Sequence, residues 1–450
     1  MVRRLGFAFP SLVLLAACGS DPLSGDDAGD GGATGDAAGD TRVEAEAAPP
    51  PPLPKNIQHI VVIVQENHTF DAYFGHTCKA TAGSNPTCNV GPNCCEGAPD
   101  KDPSDAGPGP VVLDDAENAG YDPNHKQACE LSEMNGGKMD RYVTGAACSN
   151  PKNFAIVPDT VLTTYRDWST QYAMADRYFQ PIVGSTSSND MYFAVAKYQF
   201  TDNDAKPETN GAGCTLPATK TKYTGVTTVA DLLIAKGLTF GSYNQGYQAM
   251  LNATLCPAAP ADCPAHIPTV PCDYDPSDNP FQYYAQFADN PLYMHDYDQL
   301  AKDIAASKLP NLVFVKGLQY HNEHPGYGTT LSAGEAFVQS TVETILGSAY
   351  ASDTLVLLTW DEGGGFFDHV TPPADSKADG KPYGTRVPML ALGKFARRNF
   401  ISHVPMEHSS IVRFVEWELL DATGQLSARD AEVNGIGSLL DPTTTRAPPD

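Results

Sequence analysis

Residues 57–75 (IQHIVVIVQENHTFDAYFG) and 354–373 (TLVLLTWDEGGGFFDHVTPP) each run from a continuous apolar segment straight into carboxylates and amides. Val61, Val62, Ile63 and Val64 suit a strand covered on both faces, and Gln65, Glu66 and Asn67 follow at its carboxyl end. Leu355 to Thr359 repeats the design, with Asp361 and Glu362 following. Strands of this kind belong in a parallel sheet, and in an open parallel sheet ligands collect beyond the carboxyl ends of the strands. Four oxygen-bearing side chains at two such ends are placed for chemistry, and hard oxygen donors suit magnesium, manganese or calcium, with zinc also accepting carboxylates.

The first residues read as an export signal. Arg3 and Arg4 supply positive charge, Phe7 to Leu15 a core too short for a membrane span, and Leu15-Ala16-Ala17-Cys18 a small-residue cleavage site. That ending is similar to a bacterial lipobox, which makes Cys18 the candidate for lipidation and membrane anchoring; an ordinary secretion signal is the alternative. The expected organisation is a signal over 1–18, a Gly/Ala/Asp/Pro-rich tether over 19–54 with almost nothing to bury, and a catalytic domain over 55–445. A net charge of −25 argues against nucleic acid as a partner. Nothing in the sequence fixes an oligomeric state.

Setting Cys18 apart leaves Cys78, Cys88, Cys94, Cys95, Cys129, Cys148, Cys214, Cys256, Cys263 and Cys272, an even set confined to the first two thirds of the chain. In an exported protein this predicts disulfides; a zinc cluster is the rival, but paired Cys-x-x-Cys spacings are lacking. The Gly/Pro/Asp/Asn-rich stretch 77–120 reads as an inserted, stapled surface loop.

The remainder alternates helix and strand. Helices are expected over 228–236, 297–307, 334–350 and 409–420, and strands over 238–243, 312–316, 355–359 and 387–392. The pattern predicts an α/β fold: a mainly parallel sheet with helices on both faces, carrying disulfide-rich loop insertions.

The segment Gln65-Glu66-Asn67-His68-Thr69-Phe70-Asp71-Ala72-Tyr73-Phe74-Gly75 resembles the opening signature of a bacterial phosphoesterase family within the alkaline phosphatase superfamily, which contains phosphocholine-preferring phospholipases C and acid phosphatases. Further matches follow in the family's order. They are Asn135 to Asp140, Glu323-His324-Pro325, Thr359-Trp360-Asp361-Glu362 with Gly365 to Val370, Arg386 to Met389, and His408 to Glu416, so the resemblance spans about residues 57–420. It implies an alkaline-phosphatase-like fold and metal-dependent hydrolysis of phosphoric esters. The implied substrate is a phospholipid, or alternatively a small phosphomonoester; a non-catalytic surface-binding lipoprotein is the rival from another class.

The resemblance further implies a nucleophilic hydroxyl three residues before an asparagine. Thr186-Ser187-Ser188-Asn189 matches, which makes Thr186 the candidate nucleophile, with Ser185, Ser187 and Ser188 as alternatives in register. The implied metal ligands are Glu66, Asn67, Thr186, Asp361 and Glu362, and the implied proton-transfer or charge-stabilising residues are His125, His324 and His369. Two departures stand out: Asp190 where relatives usually carry Arg after the asparagine, and His68 where many carry Arg.

Overall fold

Ten strands are present among the described residues: β1 (His59–Gln65), β2 (Val111–Val112), β3 (Ala155–Ile156), β4 (Ala173–Ala175), β5 (Phe240–Asn244), β6 (Met294–Asp296), β7 (Leu312–Lys316), β8 (Thr354–Trp360), β9 (Met389–Leu392) and β10 (Phe400–Ser402). The computed structural model describes residues 56–446 except 105–106, 108, 201–222 and 253–273, and these belong to one compact unit, Pro52–Asp450. The signal, Cys18, the tether, Cys214, Cys256, Cys263 and Cys272 lie outside the described residues.

Eight strands form one sheet in the order β10-β4-β9-β8-β1-β7-β5-β6, while β2 and β3 pair separately. Every neighbour in the large sheet runs parallel except β9, which is antiparallel to both β4 and β8. The sheet is therefore mainly parallel, as expected. Strand β1 sits centrally between β8 and β7, so Ile60 to Gln65 are buried along their length, as is all of β8. Burial of both faces explains why these segments carry unbroken apolar runs rather than alternation.

The expected helices are present with shifted ends. Val229–Ala235 is closed at its start by a capping box of Thr228 and Asp231, and Gly237 follows at φ +76°. Asp298–Ala305 leads to β7, and Leu331–Leu346 buries Phe337, Val338, Thr341, Val342 and Ile345. The last expected helix divides into α-helical His408–Val415 and a π-helical turn, Glu416–Leu420. The strand expected from Val387 begins instead at Met389, because Pro388 has no N–H to give the ladder.

Among the described residues three disulfides are formed: Cys78–Cys95, Cys88–Cys94 and Cys129–Cys148. The first two staple the inserted loop.

Candidate active site

The register of the central strands builds the site. Gln65 of β1 lies opposite Trp360 of β8, so the next residues, Glu66 and Asp361, leave the sheet side by side. On the other flank Val62 lies opposite Phe314 and Ile63 opposite Val315, which brings Lys316, the last residue of β7, to the same level. Lys316 Nζ is 2.7 Å from Glu66 Oε1.

Asn67 adopts φ +61° and turns the chain back over the strand end. Its backbone N–H donates to Asp361 Oδ1 at 3.3 Å. Its amide is best satisfied with the nitrogen donating to the Asp361 carboxylate (3.0 and 3.2 Å) and the oxygen accepting from His324 Nε2 (3.1 Å). The Thr186 hydroxyl is 3.4 Å from the same amide and also hydrogen-bonds Asp361.

Thr186 is the first residue of the helix Thr186–Val195. The preceding turn needs glycine, since Gly184 has φ +122°. Asn189 locks it: its amide donates to the Gly184 and Ser185 carbonyls (2.8 and 3.2 Å) and accepts from the Ile182 N–H (3.2 Å). Glu130 holds the other side by accepting from the Gly184 N–H at 2.7 Å. The Thr-x-x-Asn spacing thus has a local cause, because the asparagine one helical turn on fastens the loop that presents the hydroxyl. Among the register alternatives, Ser187 donates to the Ser277 carbonyl (3.1 Å), and Ser188 is fully buried away from the cleft.

Thr186 opens onto a cleft of about 150 Å³ whose walls include Glu66, Asp122, His125, Asp278, His324 and Tyr327. The two histidines face each other with ring centroids 5.9 Å apart. Nδ1 of His125 lies 3.1 Å from the Pro123 carbonyl, which places its proton on Nδ1 and leaves Nε2 free to accept, whereas both His324 nitrogens face acceptors, Nδ1 the Pro325 carbonyl at 2.7 Å and Nε2 the Asn67 amide oxygen. Burial lowers the pKa of His125 and favours its neutral form.

The carboxylates are crowded. Burial, reinforced by Glu66, pushes Asp361 up to about 7, and burial with Glu130 and Asp361 raises Glu362 well above its ordinary value. Burial also works to raise Glu66, but Lys316 and His324 outweigh it and hold that group below the ordinary carboxylate range. Glu362 Oε2 accepts from the Gly364 N–H at 2.9 Å, whereas Oε1 has no hydrogen-bond partner among the described residues. Packed, desolvated carboxylates with an orphaned oxygen are the donor set a divalent cation satisfies, and Glu66, Asn67, Thr186, Asp361 and Glu362 fit that group. A tighter group, Asp122, His125 and His324, has ligand atoms all within 4.8 Å of one another.

His369 is not brought to this cleft. Its Nδ1 is 2.7 Å from Asp71 Oδ2 and its Nε2 is 3.0 Å from Glu96 Oε2. Arg386 joins the same network through Asp71 (2.8 Å) and Asp368 (2.9 Å). Both ring nitrogens face carboxylates, so His369 serves as a buried cationic tie between Asp71, on the short helix Phe70–Phe74, and the stapled loop rather than as an acid or base beside Thr186. The Cys129, Glu133 and Cys148 group, which has metal-like spacing, is closed as a disulfide.

Sequence reasoning missed Lys316, Asp190, Asp278 and Glu130. Lys316 ends an apolar strand and could have been read as a strand-end functional group, by the same logic that singled out Glu66. Asp190 was visible only as a departure from a motif, while Glu130 and Asp278 lie in segments with no periodic signal.

The phosphoesterase family model matches residues 57–419. Phospholipase C B of Mycobacterium tuberculosis is 25% identical, over 87% of this chain and 79% of its own length. Non-specific phospholipase C6 of Arabidopsis thaliana is 25% identical, over 83% and 70% respectively. Non-hemolytic phospholipase C of Pseudomonas aeruginosa is 22% identical over 80% of this chain, which spans about half (54%) of that relative. Among solved structures, a phosphonate monoester hydrolase from Silicibacter pomeroyi aligns with a TM-score of 0.37 at 8% identity, over 65% of this chain and 74% of its own. With a family match running from the first strand-end motif to the last, the chain belongs to the phosphoesterase family and is a phosphoric ester hydrolase.

Proposed function

We propose that this hydrolase acts as a phospholipase C, using Thr186 as nucleophile and passing through a phosphothreonine. The supporting observation is the Thr186 hydroxyl at the floor of the cleft, against Asn67 and Asp361, with His125 and His324 on its walls. The helix that Thr186 opens directs its amino-terminal dipole at the hydroxyl, which favours negative charge there. A divalent ion held by Glu66, Asn67, Thr186, Asp361 and Glu362 would supply positive charge that favours the alkoxide and shields the phosphoryl oxygens.

Thr186 Oγ1 gives its proton to an imidazole of the cleft and attacks phosphorus, and the bond to the leaving alcohol breaks as that oxygen takes the proton from the imidazolium so formed. Water then gives a proton to the same imidazole and attacks the phosphothreonine, and the bond from phosphorus to Oγ1 breaks as Oγ1 takes that proton, releasing the phosphomonoester and restoring the hydroxyl. His125, kept neutral by burial, suits the proton-accepting half of this cycle.

The choice of diester over small monoester rests on charge. Asp122 lines the cleft, and its carboxylate repels a dianionic monoester more than a monoanionic diester carrying a cationic headgroup. An acid phosphatase remains the competing activity in the test. Phosphatidylcholine and p-nitrophenylphosphorylcholine should be turned over well above p-nitrophenyl phosphate. Thr186→Ala should lose at least about a thousandfold in kcat, Thr186→Ser should retain part of it, and acid-quenched wild type should yield a phosphorylated peptide at Thr186. Phosphate on Ser185, Ser187 or Ser188 would overturn the assignment of the nucleophile, and a preference for p-nitrophenyl phosphate would overturn the substrate class.

A further inference from the structure

One hydroxyl at the cleft has no part in the hydrolytic cycle described above. Ser185 stands at the amino-terminal cap of the helix Thr186–Val195 (φ −71°, ψ 162°), the position from which a serine oxygen ordinarily accepts a hydrogen bond from the first turn. Thr69, Thr228, Thr330 and Ser427 cap their helices in this way. The Ser185 side chain makes no capping bond, and its Oγ has no hydrogen-bond partner among the described residues. Yet Ser185 is only 3% exposed, and it lines the same cleft as Thr186, His125 and His324.

A buried hydroxyl without a partner is destabilising unless something that enters the cleft supplies one. The backbone here is fixed, since the Asn189 amide donates to the Gly184 carbonyl at 2.8 Å and to the Ser185 carbonyl at 3.2 Å. The hydroxyl is thus held one residue from the nucleophile. Because it leaves the first turn of the helix without a side-chain cap, its own proton and the positive end of the helix both remain available to negative charge. In phosphoryl transfer that charge gathers on the non-bridging oxygens of the group under attack. We propose that Ser185 is a further catalytic residue, whose Oγ–H donates a hydrogen bond to a non-bridging phosphoryl oxygen as Thr186 attacks. The proton stays on Ser185 throughout, so the proton balance of the cycle is unchanged. This rests on Thr186 as the nucleophile of phosphoric ester hydrolysis and gives its neighbour a separate task.

The test is turnover of p-nitrophenylphosphorylcholine by Ser185→Ala and Ser185→Gly in the full chain, with inhibition by orthovanadate and by inorganic phosphate. Orthovanadate takes the five-coordinate geometry of the transferring group, whereas phosphate does not. Both variants should lose about a hundredfold in kcat with KM little changed. Orthovanadate should bind more weakly by a similar factor while phosphate inhibition hardly moves. The thermal midpoint of Ser185→Ala should stay at the wild-type value, because no capping bond is lost. Ser185→Gly keeps the test decisive where alanine disturbs the turn, since glycine is itself an accepted cap. With phosphothreonine found in acid-quenched wild type, near-wild-type kcat in both variants overturns the role of Ser185 alone. So does a loss of kcat with orthovanadate affinity unchanged, a lowered thermal midpoint with kcat unchanged, or a failure of both variants to fold. Phosphate on Ser185 in wild type would instead refute Thr186 as the nucleophile.

Discussion

Gly364→Ala tests the joint between the two strand-end motifs. Gly364 has φ +65°, and a Cβ built on it would lie 2.1 Å from the Asn67 carbonyl oxygen and 2.9 Å from Asn67 Cβ. Two costs combine: the left-handed conformation costs a residue bearing Cβ about 1–2 kcal/mol, and pushing apart two packed backbones costs about 1–3 kcal/mol. Gly380 serves as the internal control, because it has φ +67° and nothing within 4 Å of the built Cβ. Gly380→Ala should therefore lose only the conformational part, about 1–2 kcal/mol, and Gly364→Ala the sum, about 2–5 kcal/mol. Scaled to this length, each kcal/mol moves the thermal midpoint by roughly 1–2 °C. The two variants should differ in Tm by several degrees. Gly364→Ala should also lose turnover beyond its stability loss, because the displaced carbonyl belongs to Asn67. Equal Tm shifts and equal kcat in the two variants would refute the close approach of the motifs.

His369→Gln should destabilise the protein by about 1.5–3 kcal/mol near neutral pH, because Asp71 and Glu96 each lose a charged hydrogen-bond partner and keep only Arg386 and Arg177 respectively. Burial works to lower the pKa of His369, but Asp71 raises it above its ordinary 6.5. The stabilisation is therefore full below about 6.5 and is lost as pH rises through the raised folded value. The stability gap between wild type and variant should shrink on going to alkaline pH; a gap that is constant from about pH 5 to about pH 9 would exclude the ion pair. Non-reducing peptide mapping should recover Cys78–Cys95, Cys88–Cys94 and Cys129–Cys148, and Cys129→Ser/Cys148→Ser should cost about 2–4 kcal/mol by releasing a loop; a Cys78–Cys94 or Cys88–Cys95 peptide would contradict the loop structure. Proposed lipidation predicts an acyl group on the amino-terminal peptide at Cys18 that Cys18→Ser abolishes, and an unmodified Cys18 peptide in membrane-extracted protein would remove the anchor.

The sequence by itself determined the elements and the turn chemistry around the site. The apolar runs at Val61 to Val64 and Leu355 to Leu358 became the buried central strands β1 and β8 because an unbroken apolar segment needs cover on both faces. Helix periodicity placed Phe337, Val338, Val342 and Ile345 on a buried face. The Thr-x-x-Asn motif marked a turn whose asparagine closes hydrogen bonds a few residues away. These are local properties, set by backbone geometry within one strand or one helical turn. Only the tertiary structure decided which strands are neighbours and hence which charges meet. Strand pairing put Glu66 beside Asp361 and brought Lys316 up to both. The docking of the stapled loop gave His369 a second carboxylate, Glu96, and so occupied both of its nitrogens. His324 and His369 each follow a carboxylate in the sequence, yet one lines the cleft and the other does not. Electrostatic partners are chosen by proximity in space, and residues hundreds of positions apart become neighbours only through the register of a sheet and the packing of its insertions.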